Sequence, residues 1–261
     1  MIWFLAALCT CLSLHAEQST IRALVACDTT SKDIKIGTEL DYMRIKKSFL
    51  HIAQQLKIPT KIQTLAGKRF SIHKIKEWIS DLQPSDIVLF YYSGHGLRPR
   101  NHDDPWPAIP YAKKRRKYIF SPISSLKKAI CRKNPRFALF LLDCCNNSSI
   151  PKSASSLPIN PFYIPKKSRL PGLRPLFLET RGIITACAAA PGEAALAVIG
   201  GRRQGSIFSV HFIQALLAEG QKNLASWKTI LDNTCAFSQR RSEGRQHPVY
   251  SIETVESRQE N

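Results

Sequence analysis

Acidic residues are scarce in this chain: 19 Asp and Glu stand against 38 Lys and Arg in 261 residues, a formal net charge of +19. Such a surface attracts polyanions, and six to ten phosphate contacts would make affinity fall roughly 10³–10⁵-fold from low to moderate salt. Aromatic residues are missing from the basic clusters at 113–117, 127–136, 166–174, 202–203 and 240–245. Without them the stacking half of a nucleic-acid interface is absent, so only non-specific attraction to polyanions or to a membrane surface is expected. No apolar run reaches the about 20 residues of a membrane-spanning helix. No internal repeat or coiled-coil pattern is present. No cysteine pair has Cys-x-x-Cys spacing, and the neighbours Cys144 and Cys145 on one backbone do not give tetrahedral ligand geometry, which argues against a zinc site.

What is present begins with a leader. Residues 1–16 carry no charged side chain, run through Ile2, Trp3, Phe4 and Leu5, and end at Leu14-His15-Ala16. They read as a cleaved secretory signal, with an apolar strand or helix as the alternative. An exported chain, periplasmic or secreted, cut near Ala16 is the expectation. Cys27, Cys131, Cys144, Cys145, Cys187 and Cys235 then remain, without the density or spacing of a disulfide framework, and most read as buried packing.

Strands and helices alternate along the chain. Arg22–Ala26, Thr60–Leu65, Ile87–Phe90, Phe137–Leu142 and Ile183–Cys187 read as buried strands, and Val249–Ile252 as a last one. Thr38 with Asp41 three residues on resembles a capping box, opening a helix through Ile45, Phe49 and Ile52. Ser71 opens a second helix and a short third passes Leu126 and Ile130, with two more at 206–219 and 224–237. This order implies an α/β fold, a three-layer sandwich around a mostly parallel sheet of about six strands. The stretch 98–122 reads as a basic, proline-rich connection and 146–177 as an exposed loop.

Two strand ends carry the chemistry. Tyr91-Tyr92-Ser93-Gly94-His95-Gly96 follows one apolar run and Asp143-Cys144-Cys145-Asn146-Asn147 another, about fifty residues on. Ligand crevices in open α/β sheets lie outside the carboxyl ends of the strands, so neighbouring strands would present His95 and Cys145 together as a cysteine-peptidase dyad. A histidine at a strand end is by itself weak, because it is often a satisfied structural residue. Its order and spacing with Asp-x-Cys is much stronger.

These residues, with Ile183–Glu193, Gly205-Ser206-Ile207-Phe208 and His247-Pro248-Val249-Tyr250, resemble the caspase-like peptidases, and within them the metacaspases and their bacterial relatives. The resemblance spans Ile21 to about Ile252, and its histidine-to-cysteine spacing is that of caspases. The caspase signature Gln-Ala-Cys is absent, and Asn146-Asn147-Ser148 stands where many relatives continue His-Ser-Gly. The resemblance implies a cysteine endopeptidase with Cys145 as nucleophile, His95 as base and then acid, and backbone amides of Gly96 and Cys145 as oxyanion donors. It implies Asp143 in a pocket for a substrate Arg or Lys, with Asp28 and Glu193 as further candidate acids. Each acid has a bland alternative, as a capping or turn carboxylate.

The same resemblance divides the domain into a large-subunit-like part at 17–145, a basic exposed linker at 146–181 and a small-subunit-like part at 182–261. Lys152, Lys166, Lys167, Arg169, Arg174 and Arg181 in the linker suit self-processing, an ordinary solvated loop being the alternative. Protein or peptide substrates are implied, and no cofactor. Calcium, which some members need, requires several clustered oxygens, and Asp103-Asp104 alone falls short. The competing readings are an inactive caspase-like scaffold that binds proteins or polyanions through its basic surface, and a plain polyanion-binding module.

Overall fold

The computed structural model describes residues 19–99, 103–114, 117–148, 169–198 and 205–254. The expected leader, Lys152, Lys166 and Lys167 of the basic segment and the Arg202-Arg203 cluster lie outside the described residues. Chain order runs β1 (Ile21–Cys27), α1 (Lys35–Leu56), β2 (Thr60–Ala66), α2 (Ile72–Ser80), β3 (Ile87–Gly94), β4 (Ala108–Lys114) and β5 (Lys117–Pro122). It continues with α3 (Ile123–Cys131), β6 (Phe137–Cys144), β7 (Gly182–Cys187), β8 (Ala197–Val198), β9 (Gly205–Ser206), α4 (Ile207–Gly220), α5 (Trp227–Arg241) and β10 (Val249–Thr254).

Six strands form the central sheet in the order β10-β7-β6-β3-β1-β2. All neighbours are parallel except β10, which runs antiparallel to β7. The period-2 alternation of a strand sends successive side chains to opposite faces. Ala23, Val25, Leu89, Tyr91 and Leu139 pack against Ile45 and Phe49 of α1, Phe208 and Phe212 of α4 and Ile230 of α5. Leu24, Val88, Phe90 and Phe140 pack on the other face against Ile75 and Trp78 of α2 and Leu126 and Ile130 of α3. The expected α/β three-layer sandwich is therefore the fold, and its strands are apolar throughout because both faces are covered.

Three local expectations are corrected. Helix α1 starts at Lys35 with Ile34 as its cap residue, so Thr38 and Asp41 form no capping box. The Thr38 hydroxyl instead donates to the Asp28 carbonyl at 2.8 Å, tying the first turn of the helix to the end of β1. Within the stretch 98–122, β4 and β5 pair as an antiparallel hairpin, a structure its proline and charge content masked. The segment expected to be exposed as far as Arg181 turns inward from Leu170: Leu170, Leu173, Leu176 and Phe177 are buried, and Trp227 Nε1 donates to the Leu176 carbonyl at 2.8 Å. Arg169, Arg174 and Arg181, before, among and after those apolar residues, remain exposed, so averaged composition hid an amphipathic segment. Helix α2 begins as expected, the Ser71 hydroxyl accepting from Lys74 N at 3.3 Å. Among the described residues no helix is long and apolar enough to cross a membrane.

Candidate active site

Strands β3 and β6 lie side by side, and their last register pair is Gly94 with Cys144. His95 and Cys145 each follow that pair by one residue. With adjacent strands about 4.8 Å apart, the two leave the sheet together at its carboxyl edge. Both are largely covered, His95 at 4% and Cys145 at 9% exposure. Gly96 locks the two strand ends together: a methyl group there would sit 2.1 Å from the Cys145 carbonyl oxygen and 2.8 Å from Cys144 Sγ, which only glycine avoids.

The histidine is held from two sides. The Tyr92 hydroxyl donates to its carbonyl at 2.7 Å, and its Nε2 lies 3.4 Å from Asp33 Oδ2. The Cys145 thiol points toward the Ala195 carbonyl at 4.0 Å. Burial raises this thiol above its ordinary pKa, the Ala195 contact opposes that, and nearby Cys187 and Asp143 add to it. Cys144 is 1% exposed. Its hydrogen bond with Cys187, and then burial, push its thiol well above the usual range, so of the adjacent pair Cys145 is the more available nucleophile.

Asp143 is buried beneath Cys145, and its Oδ2 accepts from Ser209 N at 3.2 Å and from the Ser209 hydroxyl. Its carboxylate companion is Asp41 of α1. Asp41 Oδ1 accepts from Ser206 N at 2.9 Å and meets Arg44 Nη1 at 3.3 Å, and its Oδ2 accepts from the Ser93 hydroxyl at 3.1 Å. Burial raises Asp41 to about 7, with the charge of Asp143 adding and that of Arg44 opposing. Burial raises Asp143 to about 6 against the Ser209 hydrogen bonds and Arg44.

Sequence reasoning missed Asp41 as a site residue. The signal was present, since Asp41 shares an i, i+4 row with the apolar Ile45 and Phe49 and so faces the core. Asp28 directly follows β1, as expected, and its carboxylate is already engaged there. Its Oδ1 accepts from Thr30 N at 3.1 Å, Thr30 Oγ1 at 2.9 Å and Ser31 N at 3.2 Å, and its Oδ2 from the Ser31 hydroxyl at 2.7 Å. Burial alone would raise its pKa, yet these bonds outweigh it and hold the carboxyl below the ordinary range. Its carboxylate is thus engaged in shaping the turn after β1, while its Cβ borders the Gly94 backbone.

Glu193 is engaged in the same way. Its Oε2 accepts from His247 N at 2.8 Å and its Oε1 lies 2.7 Å from His247 Nδ1, while its carbonyl accepts from Asn146 N at 2.9 Å. That arrangement buttresses the turn after Cys145 rather than the Asp41–Asp143 pair. Asn146 is fully buried, and its Nδ2 donates to the carbonyls of Pro105 at 2.7 Å and Ala189 at 3.3 Å. Among the described residues no cluster of His, Cys, Asp and Glu is arranged to hold a metal.

A parallel sheet that presents a histidine and a cysteine from adjacent strand ends, with acids beneath, has the form of a cysteine-peptidase scaffold. The family model of the caspase domain matches residues 22–258, and the chain belongs to that family. The search of curated proteins found no match. Membership makes this a protein of the cysteine-type peptidases, whose substrates are proteins or peptides.

Proposed function

We propose that the chain is an active endopeptidase that uses Cys145 and His95 and cleaves after Arg or Lys, as metacaspases do. The observation that carries the reading is the Gly94–Cys144 register pair with Gly96 packed on the Cys145 carbonyl, which leaves both reactive side chains at one edge of the sheet. His95 takes the thiol proton as Cys145 Sγ attacks the scissile carbonyl carbon. The N–H groups of Gly96 and Cys145 receive the oxyanion, and removal of such a donor typically slows catalysis about 10²-fold or more. As the C–N bond breaks, His95 returns the proton to the leaving amine, and water then hydrolyses the acyl-enzyme with His95 as base.

The basic preference rests on Asp143 together with Asp41, a replacement for the Asp28 and Glu193 assignments. A guanidinium inserted between the two carboxyls would repay their burial, whereas an aspartate would meet like charge. Self-processing belongs to the same reading, since Arg169, Arg174 and Arg181 are exposed. Arg181 precedes the Gly182–Phe137 pair at the amino ends of the strands, opposite His95 and Cys145, so a cut there would be made by a second copy of the chain. Export with cleavage near Ala16 is likewise proposed, and N-terminal sequencing of the mature chain would settle it.

The test is a fluorogenic peptide panel with Arg, Lys, Asp or Leu at P1, with and without calcium, comparing the mature protein with Cys145→Ala. Cleavage after Arg or Lys that vanishes in the variant supports the reading, with intact-mass analysis reporting any cut in 146–181. Cleavage after Asp removes the pocket assignment. Silence from the wild-type protein under all conditions overturns the proposal in favour of an inactive scaffold.

A further inference from the structure

The loop between β1 and α1 carries a carboxylate to the face of His95 away from any role given to it so far. Asp28 organises that loop by accepting from both the backbone and the hydroxyls of Thr30 and Ser31. The Thr38 hydroxyl returns to the Asp28 carbonyl and fixes the far end. Between those two anchors, Asp33 Oδ2 comes to 3.4 Å from His95 Nε2. His95 is nearly closed off from solvent, with a side-chain exposure of 5% against 35% for Asp33, so the contact lies at the rim of the crevice.

We propose that Asp33 is a positioning residue for His95 and extends the Cys145–His95 pair to a Cys-His-Asp arrangement; this rests on the dyad reading above. A carboxylate beside Nε2 selects the tautomer with its proton on Nε2, which leaves Nδ1 as the acceptor for the thiol proton. When that proton moves from Sγ to Nδ1, the imidazolium gains a paired charge and the thiolate is formed without a buried cation left alone. Cys145, whose thiol is held protonated by burial, needs that assistance more than an exposed cysteine would. Asp33 touches neither substrate nor thiol, so its effect passes through the histidine. Partial exposure screens the pair, so the effect expected is about tenfold, the low end for an outer partner of a reacting group.

The experiment measures the rate of Cys145 alkylation by iodoacetamide at neutral pH, read by mass spectrometry of the peptide containing Cys144 and Cys145, which needs no peptidase turnover. Wild type, His95→Ala, Asp33→Asn, Asp33→Ala and Asp33→Glu are compared, with melting temperature as the control for folding. The expected result is slowing in His95→Ala and about tenfold slowing in both neutral Asp33 variants, with recovery in Asp33→Glu at unchanged melting temperature. With an active P1 Arg substrate Asp33→Asn and Asp33→Ala lower kcat and leave KM in place, while Asp33→Glu keeps both near wild type. A wild-type alkylation rate in Asp33→Asn overturns the assignment, and so does equal slowing in Asp33→Glu, which would mark Asp33 as a loop-shaping residue only. If His95→Ala alkylates as fast as wild type, the dyad itself falls and the inference with it.

Discussion

Asp41, from the second turn of a helix, and Asp143, two residues before the candidate nucleophile, lie in one buried network that Ser93, Ser206, Ser209 and Arg44 complete. Two carboxyls removed from water and from each other's tolerance do not both stay ionised at low cost, and they titrate as a pair. Arg44 supplies one positive charge from within the chain. A cationic substrate side chain would supply a second, which is the physical basis for reading the network as the floor of a specificity pocket.

Cleavage after Arg should therefore weaken on acidification. As pH falls through about 7 and then about 6, the values to which burial raises Asp41 and Asp143, the pair takes up protons and loses its hold on a guanidinium. KM for an Arg substrate is expected to rise across that window while KM for a P1 Leu substrate, if cleaved, stays level. Asp143→Asn should lower kcat/KM for Arg about 10²-fold or more, because the incoming cation loses one of its two carboxylate partners. A flat KM profile for Arg would sink the pocket assignment.

The same pair sets a stability profile. In the unfolded chain both acids titrate near 3.9, whereas folded they hold protons to about 7 and about 6. The folded state binds more protons over that interval, so its stability is highest below about pH 4 as far as this pair is concerned, and it declines as pH rises to about 7. Urea unfolding followed from pH 4 to 8 should show Asp143→Asn declining less steeply than wild type. Parallel curves would mean that the pair is not desolvated in solution.

Gly96→Ala tests how tightly the two strand ends are closed. A Cβ placed 2.1 Å from the Cys145 carbonyl oxygen meets backbone, which has no rotamer to yield, so β3 and β6 must separate at the site. Destabilisation of about 2–3 kcal/mol is expected, in the range of overpacked cores, together with a loss of activity larger than the loss of stability explains. Activity near wild type in a folded Gly96→Ala protein would show that the strand ends are looser than drawn.

Much of this was legible in the sequence for a definite reason. Strands covered on both faces must be apolar at every position, so Ile87–Phe90 and Phe137–Leu142 declare themselves, and the residues just past them mark the crevice. Asp41 was hidden because a Thr-x-x-Asp pattern fits a capping box as well as it fits a buried acid, and only packing chooses between them. Leu173 and Phe177 were hidden because the arginines beside them dominate any local average. Asp28 and Glu193 were visible as acids near the site, yet where a carboxylate points depends on which hydroxyl, amide or imidazole reaches it first, here Ser31 and His247. Those contacts join residues through loops whose shape no periodicity encodes.

Asn146 offers the sharpest check on the turn behind Cys145, where many relatives have His. Its side chain is fully enclosed, with Nδ2 donating to two carbonyls, those of Pro105 and Ala189, while its own N–H donates to the Glu193 carbonyl and its carbonyl accepts from Gly192 N at 2.8 Å. The socket is built for an amide donor. Asn146→Ala removes that donor and leaves two carbonyls facing a small void, a loss of about 1–3 kcal/mol. Asn146→Asp keeps the shape but turns an acceptor toward those carbonyls and adds a buried charge, so it should destabilise more than alanine does. Asn146→His puts a larger ring at a fully buried position and should also lower stability, by about 1–3 kcal/mol. Chemical denaturation of the three variants should rank Asp as the most damaging. If Asp is instead tolerated as well as Ala, the amide does not hold the turn, and Cys145 must be oriented from the Gly96 side alone.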